Sequence, residues 1–440
     1  MNRDATFACH SRARALSLFL AAAPTLLAAA ACSGAGRGDD AGGTSASALT
    51  FAPAAEKDLA VVFALDSSAP IKAADGASAG ALLPSGWYTT VSRAFDATSA
   101  AGALQGESRY EDWQVVSFRV APCAALGKTP SSDIERICWP EVRIVWQPVV
   151  RNVRVHERFA THFADDRALH ALYDAPAEAG LPAGDAARAR AYLQRIRTVT
   201  AGWRGGAYAP LPASDLADFQ SLRDRVAAAL VDGAVALRDG RQPVSAYRGL
   251  DLRPESVGSP AEQGAFRARV LTFFDTYARP AALKTLTAFS LPEGREPANT
   301  TDWVFLSFHG TNGSIDPEPI VVTSARDGRE LFRFPAEEHG SMGGDDPLLD
   351  EASRDASVSP EIRESVILSN PDVARLTPVL RDRRARLVPN TGCASCHATN
   401  PLRFDFHNLG YLEDRELNVS PRVVTDIALD LAWLEAGRAR

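Results

Sequence analysis

The chain has 440 residues, of which 46% are hydrophobic and 23% are charged, and its formal net charge is −7. This length allows more than one hydrophobic core. The mildly acidic balance argues against nucleic-acid binding and against a polybasic surface that holds membranes.

The first 31 residues have the pattern of an export signal. Arg12 and Arg14 precede an apolar run, and three alanines come directly before Cys32. A short basic region, an apolar core and small residues before a cleavage point are the features of a secretory signal peptide. The sequence therefore predicts that residues 1–31 are removed on export.

The stretch from Ala29 to Cys32 resembles the lipobox of bacterial lipoproteins, with Ala29 where that family usually has leucine. The resemblance implies that Cys32 carries lipid and becomes the first mature residue. An ordinary secretory signal cut nearby is the alternative. No later apolar run reaches the roughly 18 residues of a membrane helix, so we expect attachment by lipid alone. The predicted location is the outer membrane, facing the periplasm or the cell surface.

Residues 32–47 are mainly Gly, Ser, Ala and Asp, and they predict a flexible tether. Residues 48–300 are predicted to form an α+β body. Its first part alternates apolar and polar residues between turn residues, which indicates four to six strands before residue 152. Its middle changes to helical spacing. The predicted strands are 49–53, 59–65, 86–95, 112–122 and 141–150, and the predicted helices are 183–203, 214–240 and 259–278.

Cys123 and Cys138 are separated by a polar loop that contains Pro130. In an oxidising space outside the cytoplasm such a pair can close, and we expect a disulfide between them. The alternative is two small buried side chains that do not meet.

Residues 301–440 are predicted to form a C-terminal region, divided softly from the body near residue 300. Strands are expected at 301–310, 319–325 and 328–334, with the turn-rich segment 311–319 between the first two. A long acidic loop and a short helix should follow. Ser420-Pro421 then opens a final helix with Ile427, Leu431 and Leu434 along one face.

The most specific pattern in the chain is Cys393-Ala394-Ser395-Cys396-His397. Two thiols at this spacing can each add to one vinyl group of a porphyrin, while the adjacent imidazole binds the iron. Chance would produce the pattern only about 0.001 to 0.002 times in a chain of this composition. The sequence therefore predicts one covalently bound haem.

Residues 393–397 resemble the attachment motif of c-type cytochromes, and the resemblance covers little else of the chain. It implies Cys393 and Cys396 as the thioether attachment points of haem c, and His397 as the proximal iron ligand. Small soluble cytochromes of this class carry a methionine ligand well after the motif. No methionine follows His397 here, so the resemblance leaves the sixth ligand open.

Met342 and His407 are the first candidates for the sixth iron ligand. Met342 lies between glycines, and His407 is the nearest imidazole downstream of the motif, beside Phe404 and Phe406, which can line an apolar haem face. A methionine ligand raises the reduction potential, two imidazoles lower it, and an open position allows small-ligand or peroxide chemistry. Further imidazole candidates are His339 and His309.

The predicted fold class is α+β: a larger mixed body with a β-rich N-terminal part and a helical middle, followed by a small, mainly helical c-type haem module. The first function hypothesis is an electron-transfer protein that is lipid-anchored and exchanges single electrons with an unknown redox partner protein. The second is a haem enzyme, such as a peroxidase, or a small-ligand sensor. The third is a structural lipoprotein in which Cys393 and Cys396 form a redox or metal clip.

Overall fold

The computed structural model describes residues 54–77, 80–96, 109–126, 135–155, 158–164, 167–202, 209–241, 252–290, 304–323, 330–334 and 421–438. All of them belong to the unit that runs from Ala48 to Arg440. The strands are β1 (Ala60–Val62), β2 (Gly76–Ala77), β3 (Gly80–Ala81), β4 (Trp113–Ala125), β5 (Cys138–Val155), β6 (Arg158–Ala164), β7 (Ala168–Asp174), β8 (Leu283–Ser290), β9 (Val304–Thr311), β10 (Ser314–Glu318), β11 (Ile320–Thr323) and β12 (Glu330–Phe334). The helices are α1 (Glu56–Leu59), α2 (Ser85–Asp96), α3 (Ala183–Gly202), α4 (Ala213–Ala236), α5 (Pro260–Tyr277) and α6 (Pro421–Arg438).

The main sheet is antiparallel and follows the order β1-β4-β5-β7-β8-β9-β10, with β6 paired to β5 off this path. Val142, Ile144 and Trp146 alternate along β5, and all three are fully buried. A period of two is typical of a strand that turns one face to a core. Two further pairs, β2 with β3 and β11 with β12, form separate two-stranded sheets.

Helices α4 and α5 supply the layer that covers the apolar face of the sheet. The Phe118 ring of β4 lies 5.1 Å from the Phe274 ring of α5, and the Trp139 ring of β5 lies 5.9 Å from the Phe219 ring of α4. Rings at such separations add to the stabilisation from buried apolar area. The core of the body therefore lies between β4, β5 and these two helices.

Helix α5 begins where the sequence predicts. The Ser259 hydroxyl accepts a hydrogen bond from the backbone N–H of Glu262, and Glu262 Oε2 accepts one from the backbone N–H of Ser259 at 2.8 Å. This reciprocal arrangement is a capping box, and Pro260 follows it at the first helical position. The predicted helices α3, α4 and α6 are confirmed as well, as are strands β4, β5, β9, β11 and β12.

The prediction of a strand at 86–95 is wrong, because this segment forms helix α2. Trp87, Val91 and Phe95 are four residues apart, and each is only 2% exposed, so they form one buried helical stripe. Tyr88, Thr89 and Thr90 favour strands by composition, but the spacing of the large apolar residues decides the outcome.

Strands β2, β3, β6, β7, β8 and β10 were not predicted from the sequence. Asn312 and Gly313 have φ of 50° and 87°, and they join β9 to β10 as a two-residue hairpin turn. Positive φ at both central residues is what a type I′ turn needs. The turn is therefore limited to two residues, and Ser314–Glu318, which we expected within a turn-rich segment, is a strand.

The fold class is α+β, as predicted, for the part of the chain that the structure describes. β8 pairs with β9, so the main sheet includes strands on both sides of residue 300, where the sequence suggested a boundary. The proposed haem module falls mainly in residues 335–420, which are outside the described residues. The predicted strand at 49–53 also lies outside them.

Candidate functional site

The haem and lipid residues predicted from the sequence lie outside the described residues. The structure describes ranges of residues between 54 and 334, and then residues 421–438. The predicted site residues outside these limits are Cys32, Met342, Cys393, Cys396, His397, Phe404, Phe406 and His407. The structure does describe the α+β body of the same chain, and its buried charges and polar face are considered next.

The expected disulfide between Cys123 and Cys138 is confirmed, with a Cα–Cα distance of 5.0 Å. It joins the end of β4 to the start of β5, close to a β-bulge between Ala121 and Ala124. Both cysteines are buried. Because the bond lies at the loop end of the β4–β5 hairpin, it fixes the start of β5 against β4.

Arg223 of α4 lies directly beside this disulfide, and its side chain is only 4% exposed. Its Nη1 donates to the carbonyl oxygen of Glu135 at 2.9 Å and lies 3.4 Å from Cys138 Sγ. Its Nε donates to Asp224 Oδ1 at 2.7 Å. On a further side, the Trp433 ring of α6 lies 5.3 Å from the guanidinium carbon, a cation–π distance. A buried positive charge therefore links α4, the disulfide and α6.

Helix α6 packs against β4 through a stripe with a charge in its middle. Ile427 and Leu434 are buried, and Asp430 between them is 0% exposed. Asp430 Oδ2 accepts a hydrogen bond from Arg119 Nη2 at 2.9 Å. Because a buried carboxylate needs a partner, this ion pair decides which residue of β4 the helix meets.

The face of the sheet opposite the aromatic core is polar. Alternation along β5 puts Arg143 and Val145 on this face, since Val142, Ile144 and Trp146 face the core. One register row across neighbouring strands consists of Val145, His170, Thr287 and Ser307, followed by Glu318 on β10. The next row consists of Arg119, Arg143, Leu172, Thr285, His309 and Asp316.

The β9–β10 hairpin carries the titratable end of these rows. Ser307 Oγ donates to Glu318 Oε1 at 2.8 Å. Burial raises the pKa of the Glu318 carboxyl above its ordinary value, although the Ser307 hydrogen bond and the nearby His309 oppose the shift. His309 Nε2 lies 3.9 Å from Asp316 Oδ2, and these two side chains are 49% and 59% exposed. The hairpin thus offers an accessible imidazole beside two carboxyl groups.

Sequence reasoning missed this polar face, although part of the signal was present. Arg119 and Arg143 alternate with large apolar residues in strands that were predicted, and this pattern indicates a polar second face. Thr287 and Ser307 join them only because β7 pairs with β8, where His170 lies opposite Thr287, more than 100 residues later in the sequence. Local patterns cannot supply that pairing.

The first two of three negative findings apply to the described ranges only. They contain no group of three or more His, Cys, Asp or Glu side chains that could hold a metal ion. None of their helices combines the length and the apolar character that a bilayer span requires. Comparison of the chain with protein families, with curated proteins and with solved structures found no match.

Proposed function

We propose that this chain is an exported, lipid-anchored protein that carries one haem c and exchanges single electrons with a redox partner protein. The observation that carries the proposal is the spacing of Cys393, Cys396 and His397. Two thiols and an adjacent imidazole form the donor set that covalent attachment of haem requires, so the chemistry of the residues fits the group.

Each of the three residues has its own role in holding the haem. Cys393 and Cys396 would form thioether bonds, which keep the porphyrin attached when the protein unfolds. His397 would supply the imidazole that binds the iron. The haem would supply one-electron redox chemistry, while the polypeptide sets its position and its potential.

The confirmed disulfide supports the export half of the proposal. Disulfides form and persist in oxidising compartments, and they are rare in the cytosol. Cys123 and Cys138 are bonded in the folded body. A location outside the cytoplasm is consistent with this bond and with the predicted signal peptide at residues 1–31.

The deciding experiment is production of the full chain in cells that carry the cytochrome c assembly machinery. We expect a covalent haem stain on a denaturing gel and a pyridine haemochrome spectrum typical of two thioether bonds. Cys393→Ala with Cys396→Ala should abolish the stain. A colourless wild-type protein that contains zinc or a titratable disulfide at 393–396 would contradict the proposal and favour the clip hypothesis.

The sixth iron ligand is tested on the same material. Met342→Ala and His407→Ala are each compared with the wild type by absorption spectroscopy. Loss of the low-spin spectrum in one variant identifies the ligand. A high-spin wild-type protein that binds cyanide or carbon monoxide would indicate an open position and favour the haem enzyme or sensor hypothesis.

The lipid anchor is tested separately. Cys32→Ala should abolish incorporation of labelled palmitate.

A further inference from the structure

Arg223 lies in contact with the disulfide and with helix α6 at the same time. Its Nη1 lies 3.4 Å from Cys138 Sγ, and its guanidinium carbon lies 5.3 Å from the Trp433 ring centre. The side chain is nearly fully buried. Because solvent does not surround the guanidinium, a displacement of Cys138 should alter its contact with Trp433.

The disulfide fixes the acceptors that hold Arg223. Nη1 donates to the carbonyl oxygen of Glu135, three residues before Cys138. Cys138 is the first residue of β5, and its bond to Cys123 ties this strand end to β4. While the bond is intact, Cys138 is held against β4, and the Glu135 carbonyl that accepts from Arg223 lies three residues before it on the same backbone.

Asp224 sets the plane of the same guanidinium. Its Oδ1 accepts from Nε at 2.7 Å and from Nη2 at 2.5 Å. This pairing leaves Nη1 for the backbone carbonyl. The orientation that satisfies both partners is also the one that lies against Trp433, so the contact with α6 depends on both.

We propose that the Cys123–Cys138 disulfide is a redox-sensitive clamp on the C-terminal helix. While the bond is closed, Arg223 holds α6 through Trp433, and when the bond is reduced, the start of β5 shifts and the hold weakens. Reduction needs a dithiol. Its two thiols break the sulfur–sulfur bond by exchange, give two electrons and two protons to the cysteines, and end as a disulfide themselves.

The expected effect is partial loosening of α6. Asp430 still pairs with Arg119, and Ile427 and Leu434 stay buried, when only the Arg223 contact is weakened. A cation–π contact and a buried hydrogen bond correspond together to about a tenfold change in an opening equilibrium. The clamp does not depend on whether the chain carries haem.

Hydrogen exchange read by mass spectrometry tests the clamp on the full chain. The protein is compared before and after treatment with dithiothreitol, and alkylation confirms that Cys123 and Cys138 are reduced. Amides of α6 should exchange about tenfold faster after reduction, whereas amides of α5 should not change. Cys123→Ala with Cys138→Ala should show the same acceleration without dithiothreitol, which separates this bond from the other cysteines.

Two variants of α4 test the route through Arg223. Arg223→Met keeps the length of the side chain and removes the charge, so α6 should exchange faster even with the disulfide closed, and reduction should add little. Arg225→Met is the matched control, since Arg225 pairs with Asp185 and α6 should be unaffected. Unchanged α6 exchange after confirmed reduction overturns the clamp, and so does equal acceleration of α5 and α6. Normal α6 exchange in Arg223→Met shows that the route is wrong.

Discussion

Helices α5 and α6 have the same length of 18 residues and meet neighbouring residues of β4, but they are held in opposite ways. α5 packs Phe273 and Phe274 against Phe118, with ring centres 5.7 and 5.1 Å apart. α6 meets Arg119 with the carboxylate of Asp430. Strand alternation turns Phe118 and Arg119 to opposite faces. α5 is therefore held by apolar area, whereas α6 has a buried charge in the middle of its apolar stripe, between Ile427 and Leu434.

This difference indicates which helix keeps its position under most conditions and which helix depends on its charged partners. Apolar packing stabilises by area and needs no partner of a particular charge. A buried ion pair contributes little beyond an apolar pair of the same shape, but removing one half of it is costly. α5 should therefore be fixed under most conditions, and α6 should respond to changes in charge.

The largest expected effect is in α5. Phe274→Ala removes a fully buried ring from the contact with Phe118, and it should lower the free energy of unfolding by about 4 kcal/mol. Urea unfolding followed by circular dichroism measures the change. Thr272→Ala, at an exposed position of the same helix, should cost less than about 0.5 kcal/mol. Equal costs for the two variants would contradict the assigned core.

Asp430→Ala should have the next largest effect, about 3 kcal/mol, because the Arg119 guanidinium, whose side chain is 15% exposed, loses its carboxylate partner in α6. We expect the loss to appear first as faster hydrogen exchange in α6, with α5 still protected. The control is Glu435→Ala, at an exposed position of α6. If α5 and α6 open together in Asp430→Ala, the two helices are not independently held.

Replacing both members of the pair sharpens the same comparison. Arg119→Met with Asp430→Leu puts apolar side chains at both positions and should restore stability to within about 1 kcal/mol of the wild type. Urea unfolding of the double variant beside the two single variants gives the coupling energy. A double variant as unstable as the sum of the single variants would show that the pair is not the contact that matters.

The smallest expected effect on stability is at the start of α5, where the charge of the Glu262 carboxylate stabilises a helix that otherwise packs by apolar contacts. Hydrogen bonds from the Ser259 backbone and from Arg241 lower the pKa of Glu262 to about 2. Because the folded pKa is depressed, this carboxylate stabilises above the usual value of 4.5, and the contribution is lost as the pH falls toward 2. Glu262→Gln should therefore show a smaller drop in urea midpoint from pH 7 to pH 3.

Glu318→Gln provides the control of opposite sign. Burial raises the pKa of Glu318, so its ionisation destabilises the fold as the pH rises through the raised value. This variant should lose less stability than the wild type on going from acid to neutral pH. If both variants change the pH dependence in the same direction, the cause lies elsewhere.

Much of the fold was predictable, because several elements carry local signals. Ser259-Pro260 and Glu262 mark the start of α5, and the cysteine count left Cys123 and Cys138 as partners. α2 was misread because its β-branched and aromatic residues mask the four-residue spacing of Trp87 and Phe95. β7 and β8 were missed because neither alternates cleanly, and each is stabilised by a distant partner. The haem site was predicted from the spacing of Cys393, Cys396 and His397 alone, and it stays a prediction. The polar face of the sheet depends on long-range register and could not be identified in that way.

Helix α1 contacts helix α6, so the first and last elements among the described residues lie side by side. A chain whose ends meet can be joined there and opened elsewhere without moving any core residue. The Asn312-Gly313 turn is a suitable opening point, because Thr311 and Asn312 are exposed. A circularly permuted version, begun at Gly313 and linked from Arg438 to Glu56, should keep the same sheet order. It would also make the C-terminal helix an internal segment.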